Sequence, residues 1–502
     1  MKKTIKRIGA LALSALVFLG SSMVALARED NYTYNYDWWG DVQDSPDFYS
    51  VATSITSVDL GLDKNLSNPQ GLFVKNNMVY ICDTGNNRII ELERTDKEKF
   101  EVKRVIESFR GMVEVNTFAG PTDIAVTDEG NFFIADKNNA RILKLDKNLN
   151  YIMQFNMPVD SSIDPNTLFQ PNKIAIDTAD RVYCIATGIN KGLIKYENDG
   201  TFSGFVGATK VTYNWTDYIR KKFATQAQRA QMVSFVPTEY SNIYMDYEGF
   251  IYSTISSAKE EDLKSGAQDA VRKLNLMGND ILVRNGEWKL YGDLYWGTGG
   301  DATGPSQFTD VTALENDVYV CLDKNRGRLF GYDDQGKMVF TFGGIGNMDG
   351  YFKNNAPSAI EHMGYDLLVL DSKDCSLTVF SPTEFGNLVY EAMDQFDQGD
   401  YDACGQTWQD VITLNGNYDL AYIGYGRALL RQERYREAMD YFELKYDDEN
   451  YSKAYKQYRK EWVEDHIGII VAVILAIFLI PMIIGKVKAI KHEIDIADIF
   501  KQ

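Results

Sequence analysis

Apolar positions along this chain fall into three patterns, and each predicts a different element. Between Leu72 and Phe380 short runs alternate apolar with polar residues and are separated by Gly, Asn and Asp, the period of half-buried strands. After Thr383 the period becomes helical: Leu388, Ala392, Met393 and Phe396 make an apolar stripe, and Gln398 to Tyr401 break it as a helix-to-helix turn would. At two places the apolar residues continue without a charged residue, from Ile8 to Leu19 and from Ile467 to Gly485.

The flanks of those two runs predict their fates. Lys2, Lys3, Lys6 and Arg7 precede the first, and Ala25-Leu26-Ala27 follows it, so residues 1–27 read as a secretory signal and the mature chain begins at Arg28. The second run, 467–485, would span about 28 Å as a helix, close to the thickness of a bilayer core. Lys486, Lys488 and Lys491 lie after it, and Glu461, Glu464 and Asp465 before it. That asymmetry predicts one membrane pass with an outer N-terminal region and a cytoplasmic tail, 486–502.

The strand region repeats itself. NPQGLFVKNNMVYICDTGNNRIIELE (68–93), GPTDIAVTDEGNFFIADKNNARILKLD (120–146) and QPNKIAIDTADRVYCIATGINKGLIKYENDG (170–200) are one pattern three times. Further copies run over 236–255, interrupted by a charged insertion near 256–270, then over 308–336 and 356–380. Their first-strand anchors, Leu72, Ile124, Ile174, Ile243, Val311 and Ile360, are 52, 50, 69, 68 and 49 residues apart, the length of one small antiparallel sheet with insertions. Such a sheet has two apolar faces and cannot stand alone, whereas a ring of six buries every face. The last repeat lacks a fourth strand, and 48–60 is strand-like without a blade of its own; it is expected to complete the sixth blade and remove the open edges.

DTGNNRI (83–89), DKNNARI (136–142) and DKNRGRL (323–329), with glycine-rich linkers between units, resemble NHL repeats. The resemblance implies a mainly β fold: a six-bladed propeller over residues 28–383. Related six-bladed propellers include protein-binding modules, amidating lyases, lactonases and antibiotic lyases. The lyases carry channel histidines with a metal, and this propeller has only His362 among the chain's three histidines. Lactonase-like propellers hold calcium through Glu, Asn and Asp in the channel. The residues just before the inner-strand anchors here are Gly71, Asp123, Lys173, Asn242, Asp310 and Ala359. Asp123, Asn242 and Asp310 are oxygen donors of the kind a hard cation needs, so they are the candidate metal ligands, with calcium as the ion. With Lys173 they are also candidate ligand-binding residues at the channel mouth, although Lys173 would compete with a cation; the alternative is that they cap the strand starts. No other cofactor is implied.

Residues 384–466 form the expected helical domain. Tyr401, Cys404 and Trp408 recur as Tyr435, Ala438 and Phe442, each 34 residues later, and the second unit resembles tetratricopeptide repeats. A plain helical stalk and a groove for a protein partner both remain open.

Composition narrows the function classes. The formal net charge is −19, which argues against a nucleic-acid partner; removing the four positive charges of the signal and the net single charge of the tail leaves −24 for 28–466. The five cysteines are odd in number and widely spaced, and Cys82, Cys184 and Cys321 sit in apolar strands, so core burial is preferred over disulfides. Aromatic clusters at 31–41, 212–218 and 287–297 mix Trp and Tyr with Asp and Asn. Trp215, Trp288 and Trp296 are therefore candidate sugar-stacking residues, with packing between blades as the alternative. An insertion at 207–235 carries a short basic helix and adds a candidate recognition loop.

An exported NHL propeller, tetratricopeptide-like helices and one C-terminal membrane pass together resemble bacterial membrane proteins found with carbohydrate ABC importers. That implies a bacterial cell-membrane location and an accessory or sensor of sugar uptake, binding a glycan or a protein and docking a membrane partner such as an importer component. Two alternatives stand beside it: a calcium-dependent lactonase-like hydrolase and a purely structural envelope scaffold. No nucleophile–His–carboxylate grouping is visible in the sequence.

Overall fold

The alternating runs become strands, and the strands gather into six antiparallel sheets, the blades of a β-propeller. The computed structural model describes residues 32–111, 115–160, 163–164, 166–207, 240–296 and 303–499. The expected signal segment, most of the 207–235 insertion and Trp215 lie outside them.

Blade 1 comprises Gly71–Lys75, Met78–Asp83, Arg88–Asp96 and Lys99–Ile106; blade 2 comprises Pro121–Val126, Phe132–Asp136, Arg141–Leu145 and Tyr151–Phe155. Blade 3 follows with Gln170–Ile176, Val182–Thr187, Leu193–Tyr196 and Phe202–Val206. In blade 4, Asn242–Met245, Ile251–Thr254 and Val271–Leu274 are the described strands. Phe308–Ala313, Tyr319–Asp323, Arg328–Tyr332 and Met338–Gly343 make blade 5, and Pro357–Met363, Asp366–Asp371 and Ser376–Pro382 belong to blade 6. First strands of successive blades touch in order, and the sixth meets the first, so these six strands line the centre.

The N-terminal stretch joins two blades. Tyr49–Ile55 pairs antiparallel with Ser376–Pro382 and supplies the fourth strand of blade 6. Ahead of it, Thr33–Tyr36 pairs with Met338–Gly343, and Val42–Asp44 pairs back on Thr33–Tyr36, which extends blade 5 to six strands. Part of the 31–41 aromatic cluster is therefore structural: Tyr34 is 2% exposed and built into this sheet.

The repeated Asp-x-x-Asn-x-Arg has a geometric reason. In blade 1, Asp83 Oδ1 accepts Ser67 N at 2.7 Å, while Oδ2 accepts Asn86 Nδ2 at 2.8 Å and Arg88 Nε at 2.7 Å. Asp136 binds Ala119 N, Asn139 and Arg141 in the same way in blade 2. The motif thus ties the end of a second strand to the chain entering the blade, and its buried charges are paired, as burial demands.

The chain divides into two compact units, 1–390 with 414–420 and 391–413 with 421–502. The first unit includes the chain as far as Tyr390. Tyr390 Oη bonds Tyr49 Oη at 2.7 Å, and Tyr418 Oη donates to Val339 O at 2.8 Å, so both are part of the propeller's own packing. In the second unit, Trp408 of Tyr401–Leu414 lies on Gly424 of Asp419–Arg431, and Phe442 of Tyr435–Leu444 lies on Gly426. A Cβ on Gly424 would come within 2.4 Å of the Trp408 ring, so that close helix approach requires glycine. The final helix, Asp448–Ile499, runs for 52 residues. Among the described residues it is the one helix long and apolar enough to cross a membrane, consistent with an anchor, and none of its apolar window is buried inside the protein.

Candidate functional site

The six residues ahead of the inner-strand anchors occupy equivalent places in the central ring. In blades 2, 3, 5 and 6 the pairing slips by one residue immediately before them, between Pro121 and Asp123, Pro171 and Lys173, Phe308 and Asp310, and Pro357 and Ala359. Each slip is a β-bulge, which adds twist and re-aims the following side chain. The extra residues also join blades: Thr122 Oγ1 donates to Pro171 O at 3.3 Å, and Ser358 Oγ to Pro69 O at 3.0 Å. At Gly71 the blades approach closely, since a Cβ there would meet Thr122 O at 2.6 Å.

Asp123 and Asp310 reach to the next blade. Asp123 Oδ2 accepts Ile174 N, and Asp310 Oδ2 accepts Ile360 N, both at 2.8 Å; Asp310 Oδ1 also accepts Val311 N at 2.8 Å. Lys173 Nζ stands 3.8 Å from Asp123 Oδ1 and donates to Gln70 O at 3.4 Å. Asn242 turns its Oδ1 onto Ile243 N at 2.7 Å, and its Nδ2 has no partner among the described residues. All four are buried. The structure therefore brings Asp123, Lys173 and Asp310 into one electrostatic group, with the two carboxylates serving as ties between blades.

One member of this group escaped the sequence reading. Glu361 lies two residues beyond Ala359, on the same face of its strand, and supplies the carboxyl that Ala359 lacks. Extending the six candidate positions by two would have found it, together with Tyr244 and Thr312 in the neighbouring blades. Burial, reinforced by the nearby Asp310 and Asp123, pushes Glu361 well above the usual carboxylate range. Burial also raises Asp123, with Lys173 and backbone N–H groups opposing, and raises Asp310 to about 7. For Lys173, burial would lower the ammonium, but Asp123, Asp310 and Glu361 outweigh it and leave the pKa above its ordinary value. His362 Nδ1 is bonded to Thr312 Oγ1 at 2.8 Å, and burial takes the imidazole down to about 4, so it is neutral at pH 7.

These residues do not fit a calcium site. Calcium takes six to eight oxygens around one point. Here the Asp123 and Asp310 oxygens are turned onto backbone N–H groups, an ammonium sits among them, and no three His, Cys, Asp or Glu gather for a metal among the described residues.

The raised carboxyls have a consequence for stability. A group whose folded pKa exceeds its unfolded value contributes stability that is complete below the unfolded value and is lost as pH rises through the folded one. For Asp310 that window runs from its ordinary 3.8 to about 7. Melting temperature should fall across this range, and Asp310→Asn should flatten the fall; an unchanged slope in the variant would mean that Asp310 is already ionised in the native protein.

The aromatic candidates gather elsewhere, beside blade 5. Trp288 Nε1 donates to Asp37 O at 3.1 Å and its ring packs on Gly40, so the tip of the N-terminal hairpin is seated on it. Trp296 Nε1 donates to Asp293 O at 2.6 Å, and Lys264 Nζ lies 4.8 Å from the centre of its ring. Two aromatic clusters far apart in sequence, 31–41 and 287–297, are thus neighbours in space. Trp288 also lines a cavity of about 290 Å³.

With the repeat geometry in view, residues 118–145 match the NHL repeat. One blade of this propeller thus carries an NHL repeat. Among curated proteins, a Caenorhabditis elegans protein described as "Probable peptidyl-alpha-hydroxyglycine alpha-amidating lyase" is 28% identical over 125 residues, 24% of this chain. The match spans 35% of that relative, about a third of its length. Among solved structures, virginiamycin B lyase from Staphylococcus aureus aligns with a TM-score of 0.38 and 11% identity over 66% of this chain and 99% of its own. BamB from Moraxella catarrhalis aligns with a TM-score of 0.31 and 13% identity over 62% and 84%.

Proposed function

We propose that this chain is a membrane-anchored recognition protein, an outward-facing accessory or sensor of sugar uptake. In this reading the propeller binds a glycan or a protein, and the helical repeats dock a membrane partner. The observation that carries it is the 52-residue helix Asp448–Ile499, which is both the last packed helix of the repeat unit and the apolar span. A repeat unit built onto a membrane helix is held at the bilayer surface, where a neighbouring membrane complex is within reach. Trp462, stacked on His466 with ring centroids 4.5 Å apart, stands just before the apolar run, where interfacial aromatics belong. The use of channel carboxylates as ties between blades favours recognition over catalysis there.

The test uses the full chain in detergent, melted with a panel of oligosaccharides, in calcium and in chelator. A ligand at 100 times its dissociation constant should add about 2.7 kcal/mol to stability. The expected result is a sugar-dependent rise that chelator does not remove. Calcium-dependent hydrolysis of sugar lactones that disappears in Asp310→Asn would replace this reading with the lactonase-like one.

A further inference from the structure

Both walls of the 290 Å³ cavity come from segments that break the propeller repeat: the turn after the short helix Glu260–Ser265, and the stretch 284–291 leading to blade 5. We propose that this cavity is a binding site for one neutral sugar ring; the inference deepens the glycan reading above and rests on it.

Size, charge and spare hydrogen-bonding capacity lead to this ligand. The volume stands at the lower edge of small-molecule pockets, the scale of a monosaccharide or the end of a chain. Four charged residues line it, Asp269, Glu287, Arg284 and Lys289, and their formal charges cancel. Glu287 is paired with Lys337 at 2.6 Å, and Lys289 Nζ is turned onto Lys264 O at 2.5 Å. An ionic ligand would therefore find no net field to hold it, while a polyhydroxy ligand needs none. Two polar groups retain capacity. The Gln268 side-chain amide has no partner among the described residues, and Asp269, ion-paired through one oxygen each with Arg272 at 3.5 Å and Arg284 at 3.6 Å, keeps further lone pairs able to accept a hydroxyl. Trp288 and Tyr291 add aromatic surface of the kind that takes the C–H face of a sugar.

The walls are already fixed, so binding costs little ordering. Trp288 is held by Asp37 O, and Asn285 N donates to Gln335 O at 2.8 Å. The hairpin and blade 5 thus hold the cavity in shape.

The experiment titrates the full chain in detergent with glucose, galactose, N-acetylglucosamine, maltose and cellobiose, read by tryptophan fluorescence and by melting temperature. Gln268→Ala and Asp269→Ala are compared with the unaltered chain. Gln268→Ala leaves every mapped bond intact and should fold normally. At least one sugar should bind, and each substitution should weaken it about tenfold or more, the loss of one or two good hydrogen bonds. If a sugar binds equally well to both variants, the cavity is not its site, although glycan recognition by the chain survives. If none of the five binds, this inference falls; should longer oligosaccharides still stabilise the chain, the broader reading stands without it.

Discussion

Replacing Asp293 with alanine should lower the stability of the propeller by about 3–5 kcal/mol, the range for breaking a buried ionic group. Asp293 is 4% exposed and carries four bonds. Its Oδ1 accepts the hydroxyls of Tyr34 and, at 2.7 Å, Tyr36; its Oδ2 takes Arg328 Nη1 at 2.5 Å and Arg326 Nε at 3.0 Å. Burial raises both phenols well above their ordinary value, so each must remain a donor and needs this acceptor. The alanine variant would leave two guanidinium groups and two phenols without it. Thr33–Tyr36 meets blade 5 through a short register, so the side-chain bonds carry much of that attachment. Urea unfolding should show the loss, and amide exchange at Thr33–Tyr36 should accelerate before exchange in the inner strands. Asp293→Asn, which keeps an oxygen but loses the charge, should fall between the two. A variant as stable as the parent would show that the hairpin is held by its backbone pairing alone.

Arg88→Met should cost a similar amount, about 3–5 kcal/mol, and for a cleaner reason. Arg88 is 1% exposed and its partner Asp83 is fully buried. Methionine refills much of the volume but removes the Nε bond to Asp83 and the Nη2 bond to Lys64 O at 2.6 Å. Asp83 would be left with the Ser67 and Asn86 donors and no counter-charge. The double variant Arg88→Met with Asp83→Leu should recover part of the loss, because removing both charges removes the uncompensated one. Equilibrium unfolding of the two variants checks this: a double variant no more stable than the single would place the cost in packing rather than in charge.

The comparison with blade 5 explains why such a motif cannot be read from sequence alone. Arg328 stands where Arg88 and Arg141 stand in their repeats, yet it binds Asp293 and Tyr34 rather than Asp323. Asp323 keeps Gln307 N and Asn325 N, and burial raises its pKa. Asp293 belongs to no repeat and lies in the linker before blade 5, so no periodicity could mark it. The candidate channel residues were legible by position, because the residue before each anchor recurs with the repeat. Their bonds were not, because a β-bulge moves one residue out of register without leaving a signature in hydropathy. Glu361 stood between these cases: strand alternation places it on the same face as Ala359, but only when two turns of the pleat are considered together.

What the amino-acid order determined by itself was the class of structure. Alternation specifies strands, recurrence at about fifty residues specifies a ring of small sheets, and an uninterrupted apolar run specifies a helix able to cross a membrane. These are local or periodic properties, and each is satisfied wherever the segment finds apolar cover. Only the tertiary structure decided which distant groups meet: Tyr34 with Asp293, Trp288 with Asp37, and Asp123 with the backbone of the following blade. Contacts of that kind depend on ring closure and on the angle between neighbouring blades. A side chain's partner across such a gap is fixed by three-dimensional proximity, which leaves no period in the chain.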